Sequence, residues 1–211
     1  AMTGDHPLTN ADAPETVEII QAETVFQGYF RMDRYTLRHR THDGGWSGTM
    51  TREVFERGHA IAIIPYDPWR DRVLLIEQFR VPALAAAKSA WQMAVVAGVI
   101  DKGQSPETVA HREMKEETGE TLHDLIPLYH YLVSQGGTSE TVRLYCGIVD
   151  TATAGGVHGL DEEQEDIRVH VLAFDDAWAR VKDGRIDNAP TIIGLQWLAL
   201  ERGNLCTAYT R

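Results

Sequence analysis

The stretch Gly98–Glu120, GVIDKGQSPETVAHREMKEETGE, decides how this chain is interpreted. Three of its carboxylates, Glu113, Glu116 and Glu117, lie within five residues. Like charges three or four residues apart on an exposed helix repel each other by about 0.2–0.5 kcal/mol per pair. Two explanations are open: the carboxylates form a solvated acidic face, or they surround a cation.

Helix signals border these carboxylates on both sides. Ser105 is a favourable N-cap and Pro106 suits the first helical turn. Gly119 is a natural C-terminal stop. The pattern therefore predicts a helix from about Pro106 to Thr118.

On such a helix the carboxylates converge on one patch. Glu113 and Glu117 are one turn apart, and Glu116 lies beside both. A group of oxygen ligands suits a hard divalent cation such as Mg²⁺ or Mn²⁺. From charge patterning alone, however, a solvated acidic face is the simpler explanation.

Composition limits the class of protein. The chain has 211 residues, of which 43% are hydrophobic and 24% charged, enough for one substantial core with or without a small accessory domain. A net charge of −11 argues against nucleic acid or an anionic membrane as a partner. No apolar run approaches the roughly 18 residues of a membrane span. Cys146 and Cys206 have no metal-ligand spacing, which fits a reducing cytoplasm, and Cys146 reads as a buried strand residue.

The chain divides into three parts by pattern. Residues 1–16 are polar with two prolines, and we expect a flexible tail. Residues 17–57 show short alternating runs around the turn Asp43–Gly45, which predict a small antiparallel β-domain. From residue 58 to 211, apolar strands are followed by helical patterns with caps near Asp175 and Asn188. The class is α+β, with mixed sheets flanked by helices.

The quoted stretch resembles the Nudix box, G-x5-E-x7-R-E-U-x-E-E-x-G-U, where U is a bulky aliphatic residue. Seven positions are in register: Gly98, Arg112, Glu113, Met114, Glu116, Glu117 and Gly119. Two positions depart, because Gln104 replaces the first glutamate and Glu120 the final aliphatic residue. The strings TREVFERGHA, LIEQFR, SQGGTSE and HGLDEEQEDIRVHV extend the resemblance to the bacterial ADP-ribose pyrophosphatase family, from about Val17 to near the C-terminus.

This resemblance implies a fold and an activity. The fold is an α/β/α sandwich around a mixed sheet, with the N-terminal β-domain added. The activity is Mg²⁺-dependent hydrolysis of ADP-ribose to AMP and ribose 5-phosphate, with Mn²⁺ as a possible substitute. The family forms homodimers in which the N-terminal domain reaches across to the partner's site.

The resemblance also assigns roles to acidic residues. The expected metal ligands are Ala97 through its carbonyl, Glu113, Glu116, Glu117 and Glu165. Glu163 is the expected general base, in a loop, LDEEQED, whose mobility would suit a base that swings in. Glu162 is an adjacent candidate, and the division of labour between Glu163 and Glu165 stays open. On pattern alone the loop is simply a solvated acidic segment.

A second group of positions matches residues that line the family's substrate site. Arginine suits this role because its planar fork holds phosphate oxygens in pairs, although a surface arginine is ordinarily just exposed. Tyr29 and Phe30 match an aromatic pair that packs on adenine, with ordinary sheet packing as the alternative for Phe30. The full set is Tyr29, Phe30, Arg52, Glu53, Arg57, Arg80, Val99, Ser134, Gln135, Gly136 and Glu140.

Three departures bear on substrate and rate. Gln104 loses the charge of the usual glutamate, Ala94 replaces a glutamate of the strand before the box, and Gln135 replaces a proline. Two alternatives therefore stay open: a Nudix pyrophosphatase for another nucleoside diphosphate sugar, and a catalytically weak domain that binds nucleotide sugars.

Overall fold

The computed structural model describes residues 6–210, apart from the side chain of Glu163. It divides into two compact units. The first contains Ala1–His59, Val99–Gly103 and Tyr131–Val142, and the second contains Ala60–Gly98, Gln104–His130 and Arg143–Arg211. The sequence-based boundaries stay predictions.

The first unit is built on a three-stranded antiparallel sheet. Its strands are β1 (Val17–Gln27), β2 (Arg31–His39) and β3 (Met50–Glu56), in that spatial order. The predicted turn lies between β2 and β3, where Gly44 has a φ of 87°. Of the expected tail, residues 1–5 lie outside the described residues. Leu8 N donates a hydrogen bond to the Tyr35 hydroxyl at 3.1 Å.

The other strands form one larger sheet. They are β4 (Ala60–Asp67), β5 (Arg72–Phe79), β6 (Trp91–Ala94), β7 (Val96–Val99), β8 (Asp124–Leu132), β9 (Thr141–Ile148), β10 (Val157–His158) and β11 (Ile167–Ala173). The spatial order is β10-β11-β5-β4-β9-β8, with β6 paired to β5 and β7 to β4. β4 and β5 are almost wholly buried, which explains their continuous apolar sequences. Cys146 is buried in β9, as predicted.

Four helices complete the second unit: α1 (Val81–Ala85), α2 (Pro106–Thr118), α3 (Phe174–Lys182) and α4 (Ala189–Ala208). The ends of α2 are those predicted. The Ser105 hydroxyl accepts a hydrogen bond from Thr108 N at 3.1 Å, and Gly119 has a φ of 75°. Met114 is fully buried on this helix, which packs on β4. No helix of residues 6–210 is both long and apolar enough to cross a membrane.

The last two helices begin for different reasons. The side-chain cap expected near Asp175 is wrong, because the N-cap residue of α3 is Ala173, which makes no side-chain hydrogen bond. Asn188 caps α4 as predicted, accepting from Thr191 N at 3.4 Å. The predicted α+β class, with a separate N-terminal antiparallel sheet, is confirmed.

Candidate active site

Two glutamates of α2 lie against the end of β7. Glu117 is only 3% exposed and accepts a hydrogen bond from Ala97 N at 3.3 Å. Glu113 lies over Gly98, where an added Cβ would fall 2.1 Å from Glu113 Oε1. The first glycine of the box is therefore required for the carboxylate of Glu113 to stand where it does.

The environment of Glu117 disfavours a bare negative charge. Burial, together with the charges of Glu113 and Glu165, raises the pKa of its carboxyl to about 8. The Ala97 N–H and the charge of Arg80 act in the opposite direction. Near neutral pH, the Glu117 carboxyl is consequently either protonated or neutralised by a cation close to it.

Glu165, from the acidic loop, lies close enough to Glu117 for its charge to raise the pKa of Glu117. Its Oε1 accepts from Gln78 Nε2 at 3.2 Å, and its Oε2 accepts from Leu160 N at 3.3 Å. Gly159 has a φ of 107°, and an added Cβ there would lie 2.7 Å from Glu165 Cβ. The loop also reaches α2, because Gly159 N donates to the Glu116 carbonyl at 3.3 Å.

Arg112 forms ion pairs with two glutamates of the box. Its guanidinium pairs with Glu113 at 2.9 Å and with Glu116 at 3.3 Å. Gln104 is exposed, and both ion pairs are present with glutamine at that position. The carboxylate of Glu116 therefore points toward Arg112.

The residues fit a hard divalent cation, which prefers carboxylate oxygens as ligands. The charges of Glu113 and Glu165 act on the buried Glu117, and a cation would offset this repulsion. Among the side chains that the structure describes, no three of His, Cys, Asp or Glu already form a coordination shell. A cation would therefore draw these oxygens together. Glu162 is exposed, and the side chain of Glu163, the predicted base, lies outside the described residues.

In the first unit, an aromatic and ionic cluster gathers four of the predicted substrate residues. The rings of Tyr29 and Phe30 are 4.8 Å apart, and the Arg57 guanidinium lies 5.4 Å from the Phe30 centroid. Arg57 Nε is 3.5 Å from the carboxylate of the buried Glu140. Burial raises the pKa of Glu140, which Arg57 partly offsets. The hydroxyl of Tyr131 is buried without a hydrogen-bond partner among the described residues.

The other predicted substrate residues are exposed. Arg52 and Glu53 lie on β3, where Glu53 is held by Arg34 at 2.7 Å. The exposed turn 134–136 is tied to β3, because Phe55 N donates to the Gly137 carbonyl at 2.8 Å. Val99 ends β7, and Arg80 precedes α1.

Three residues near these groups were missed from the sequence: Gln78, Tyr131 and Gly159. Gln78 had a weak signal, because it is a polar residue at a buried position of an apolar strand. Gly159 and Tyr131 had none, since a positive φ and a buried hydroxyl are properties of the folded chain.

Comparisons with known proteins identify the family. The NUDIX domain family matches residues 56–195. The chain is 48% identical to an ADP-ribose pyrophosphatase of Escherichia coli (strain K12) over 184 residues, covering 87% of this chain and 88% of that protein. It is 40% identical to an ADP-ribose pyrophosphatase of Haemophilus influenzae, covering 93% and 92%.

More distant proteins share less. A GDP-mannose pyrophosphatase of Yersinia pestis is 35% identical, covering 86% of this chain and 90% of that protein. The crystal structure of an ADP compounds hydrolase superposes with a TM-score of 0.69 at 20% identity, covering 90% and 97%, and so shows the same fold. Since the NUDIX match spans most of the chain and the first relatives are far above 30% identical, the chain belongs to the Nudix family and, within it, to the group of bacterial ADP-ribose pyrophosphatases.

Proposed function

We propose that this protein hydrolyses the pyrophosphate bond of ADP-ribose, giving AMP and ribose 5-phosphate. Two curated relatives named for this activity cover nearly all of the chain, and the more similar one is 48% identical. The observation that carries the proposal is the position of Glu117, a buried carboxylate raised in pKa and placed among Glu113, Glu165 and the backbone of Ala97.

The proposed cofactor is Mg²⁺, with Mn²⁺ as a possible substitute. Glu113, Glu117, Glu165 and the carbonyl of Ala97 would hold it, and Glu116 would support them. When bound, the cation neutralises the pyrophosphate oxygens that otherwise repel a nucleophile. The residues of this chain contribute a rigid helix, a glycine that admits Glu113, and a loop that supplies Glu165.

Proton transfer is assigned to the acidic loop. We propose Glu163 as the general base that takes a proton from the attacking water, with Glu162 as the neighbouring candidate. Arg57 and Arg80 would contact phosphate oxygens through their planar guanidinium groups. The remaining proposed substrate contacts are Tyr29, Phe30, Arg52, Glu53, Val99, Ser134, Gln135, Gly136 and Glu140.

The proposed assembly is a homodimer in which the N-terminal sheet is exchanged toward the partner's site. The support is β1, an edge strand whose Ile20, Val25 and Phe26 side chains are exposed. A cytoplasmic location is proposed because Cys146 and Cys206 are both free thiols.

A second nucleoside diphosphate sugar is the alternative substrate. It is favoured by the 35% identity to a GDP-mannose pyrophosphatase and by Gln135 in the turn 134–136, where the resemblance leads one to expect proline. Gln104 would instead favour a catalytically weak domain, but Arg112 still pairs with Glu113 and Glu116 in this chain.

The test is a panel of ADP-ribose, GDP-mannose and dinucleotides, each with Mg²⁺ or Mn²⁺ and with products identified. We expect ADP-ribose to be turned over with the highest kcat/KM and to give AMP. Glu163→Gln should slow turnover by about 10²–10⁴-fold while ADP-ribose still binds. Glu162→Gln is the matched control; an equal loss there and none in Glu163→Gln would move the base to Glu162.

A further inference from the structure

Gln78 lies on β5 and is 9% exposed. The two ends of its amide differ. Nε2 donates to Glu165 Oε1 at 3.2 Å, whereas Oε1 is buried and has no hydrogen-bond partner among the described residues. Folded proteins pair nearly all such atoms, because a buried polar group left unpaired is destabilising.

Neighbouring residues do not account for this orientation. The residue opposite Gln78 in the sheet is Gln92, whose amide donates to the Ser89 carbonyl at 2.7 Å and so is engaged elsewhere. Rotating the Gln78 amide by half a turn would bring its oxygen against the carboxylate of Glu165, placing two acceptors together. Glu165 therefore fixes which way the amide points.

The same amide joins the core sheet to the acidic loop across 87 positions of sequence. On the other side Glu165 is held by Leu160 N, within its own loop. Gln78 is thus the contact that ties this carboxylate to a rigid, buried strand. Residues that orient a metal ligand in this way ordinarily alter metal affinity about 10–100-fold when replaced.

We propose that Gln78 is a positioning residue of the cation site: its NH₂ group holds Glu165 ready for the cation, and its carbonyl oxygen accepts a hydrogen bond from a water of the cation's hydration shell. This inference rests on the proposed function in one respect, namely that Glu165 is a metal ligand. The proposal explains both ends of the amide: the NH₂ group binds Glu165, and the unpaired oxygen gains a partner when the cation binds with its water.

The test uses the whole protein without substrate, with Mg²⁺ or Mn²⁺ added, and thermal unfolding as the measurement. Gln78→Met keeps the length of the side chain and removes both polar ends. In the metal-free protein it should leave the Tm unchanged or raise it, because an unpaired buried oxygen is lost. The cation concentration that gives half of the full Tm increase should rise about 10-fold or more.

Gln92→Met is the matched control, since it removes the same group from the opposite strand, and it should leave the cation midpoint unchanged. Gln78→Asn retains the amide on a shorter side chain and should shift the midpoint in the same direction, which keeps the test available if Gln78→Met does not fold. In a Glu165→Gln background the effect of Gln78→Met on the midpoint should largely disappear, because the two residues act through one contact.

A lower metal-free Tm with an unchanged cation midpoint would overturn the proposal and make Gln78 a structural residue only. The failure of the proposed function is separate, because ADP-ribose is not part of the measurement. If the wild-type protein does not hydrolyse ADP-ribose but Gln78→Met shifts the midpoint, only the substrate assignment fails. If hydrolysis occurs and the midpoint is unmoved, only the role of Gln78 fails.

Discussion

Glu117 shows how burial changes the behaviour of one carboxylate in an acidic helix. Solvent would screen three exposed carboxylates on one face, but Glu117 is buried against Ala97 and its neighbours raise its pKa. The solvated-face explanation therefore does not describe this residue, whereas the separate explanation of the acidic loop as a solvated segment does fit the exposed Glu162. A buried carboxylate of this kind makes the stability of the fold depend on both pH and cation.

The first prediction concerns this dependence. The pKa of Glu117 is raised from 4.5 to about 8, so the folded, metal-free protein keeps a proton that the unfolded chain releases. Its contribution to the free energy of unfolding is complete below the unfolded pKa and is lost as the pH rises through the folded pKa. We expect the proposed Mg²⁺ to replace that proton, so the Tm increase at a fixed Mg²⁺ concentration should be larger at about pH 8.5 than at about pH 6.

Glu117→Gln supplies the control, because glutamine neither titrates nor offers a charged ligand. Its metal-free Tm should vary less with pH in this range, and its response to Mg²⁺ should weaken. Calorimetry in buffers of different ionisation enthalpy should also detect proton release on Mg²⁺ binding to the wild-type protein. An equal Mg²⁺ response at both pH values would contradict the assignment.

The second prediction concerns Gly98. A methyl group there would meet the end of a flexible side chain, so the fold can absorb Gly98→Ala by displacing the Glu113 carboxylate. We expect a loss of about 10-fold or more in cation affinity, as for other changes that misplace a ligand, with little change in Cm for denaturant unfolding. Gly48→Ala is the control, since nothing lies within 4 Å of a Cβ at that position. A large fall in Cm with unaltered cation affinity would show that Gly98 serves packing alone.

At the scale of elements, α2 depends on its cap. The third prediction is that Ser105→Ala lowers the free energy of unfolding by about 1 kcal/mol, because Thr108 N loses its acceptor. Denaturant titration should show a lower Cm with an unchanged slope. Ser105→Asp preserves an acceptor and should recover most of the loss; equal destabilisation by both variants would mean that the cap is not the cause.

How far the sequence predicts an element depends on how local its signals are. The ends of α2 are encoded within the helix and beside it, and they were predicted to the residue. The side-chain cap predicted near Asp175 was wrong, because the N-cap residue of α3 is Ala173, which makes no side-chain hydrogen bond. The two-residue strand β10 and the 3₁₀ turn Asp161–Glu163 gave no signal, since β10 exists only through pairing with β11.

In the candidate site, too, residues brought together by local spacing are predictable and those brought together by long-range contacts are not. Glu113 and Glu117 are recognisable because spacing on one helix brings them together. The bond between Gln78 and Glu165 joins residues 87 positions apart, and no local pattern encodes it. The cluster of Arg57, Phe30 and Glu140 likewise comes from three separate segments, so only resemblance suggested it.

At the scale of the whole molecule, the charge of −11 must be reconciled with an anionic substrate. A protein of this charge repels a pyrophosphate at long range, and the local cations reduce the repulsion only near the site. Arg80 stands close enough to Glu117 to lower its pKa, and Arg57 lies over Phe30. Moderate salt should therefore assist binding of the proposed substrate until it screens these arginines as well.

Assembly is the remaining property at this scale, and β1 allows a direct test. An edge strand with exposed apolar side chains ordinarily pairs or is covered. Phe26 is 62% exposed on β1, so burying it against a second copy would stabilise a dimer. The fourth prediction is that Phe26→Glu shifts sedimentation toward single chains of 23.6 kDa, because a charge would be desolvated in the interface.

Leu200→Glu controls for the general effect of adding a charge at an exposed apolar site. Leu200 is 80% exposed on α4, outside the N-terminal sheet, and its replacement should leave the sedimentation pattern as in the wild type. Thermal unfolding of both variants separates dissociation from misfolding, because a dimer that loses its interface has a Tm that no longer rises with protein concentration. If Phe26→Glu sediments as the wild type does, β1 is not the dimer contact, and exchange of the N-terminal sheet loses its support.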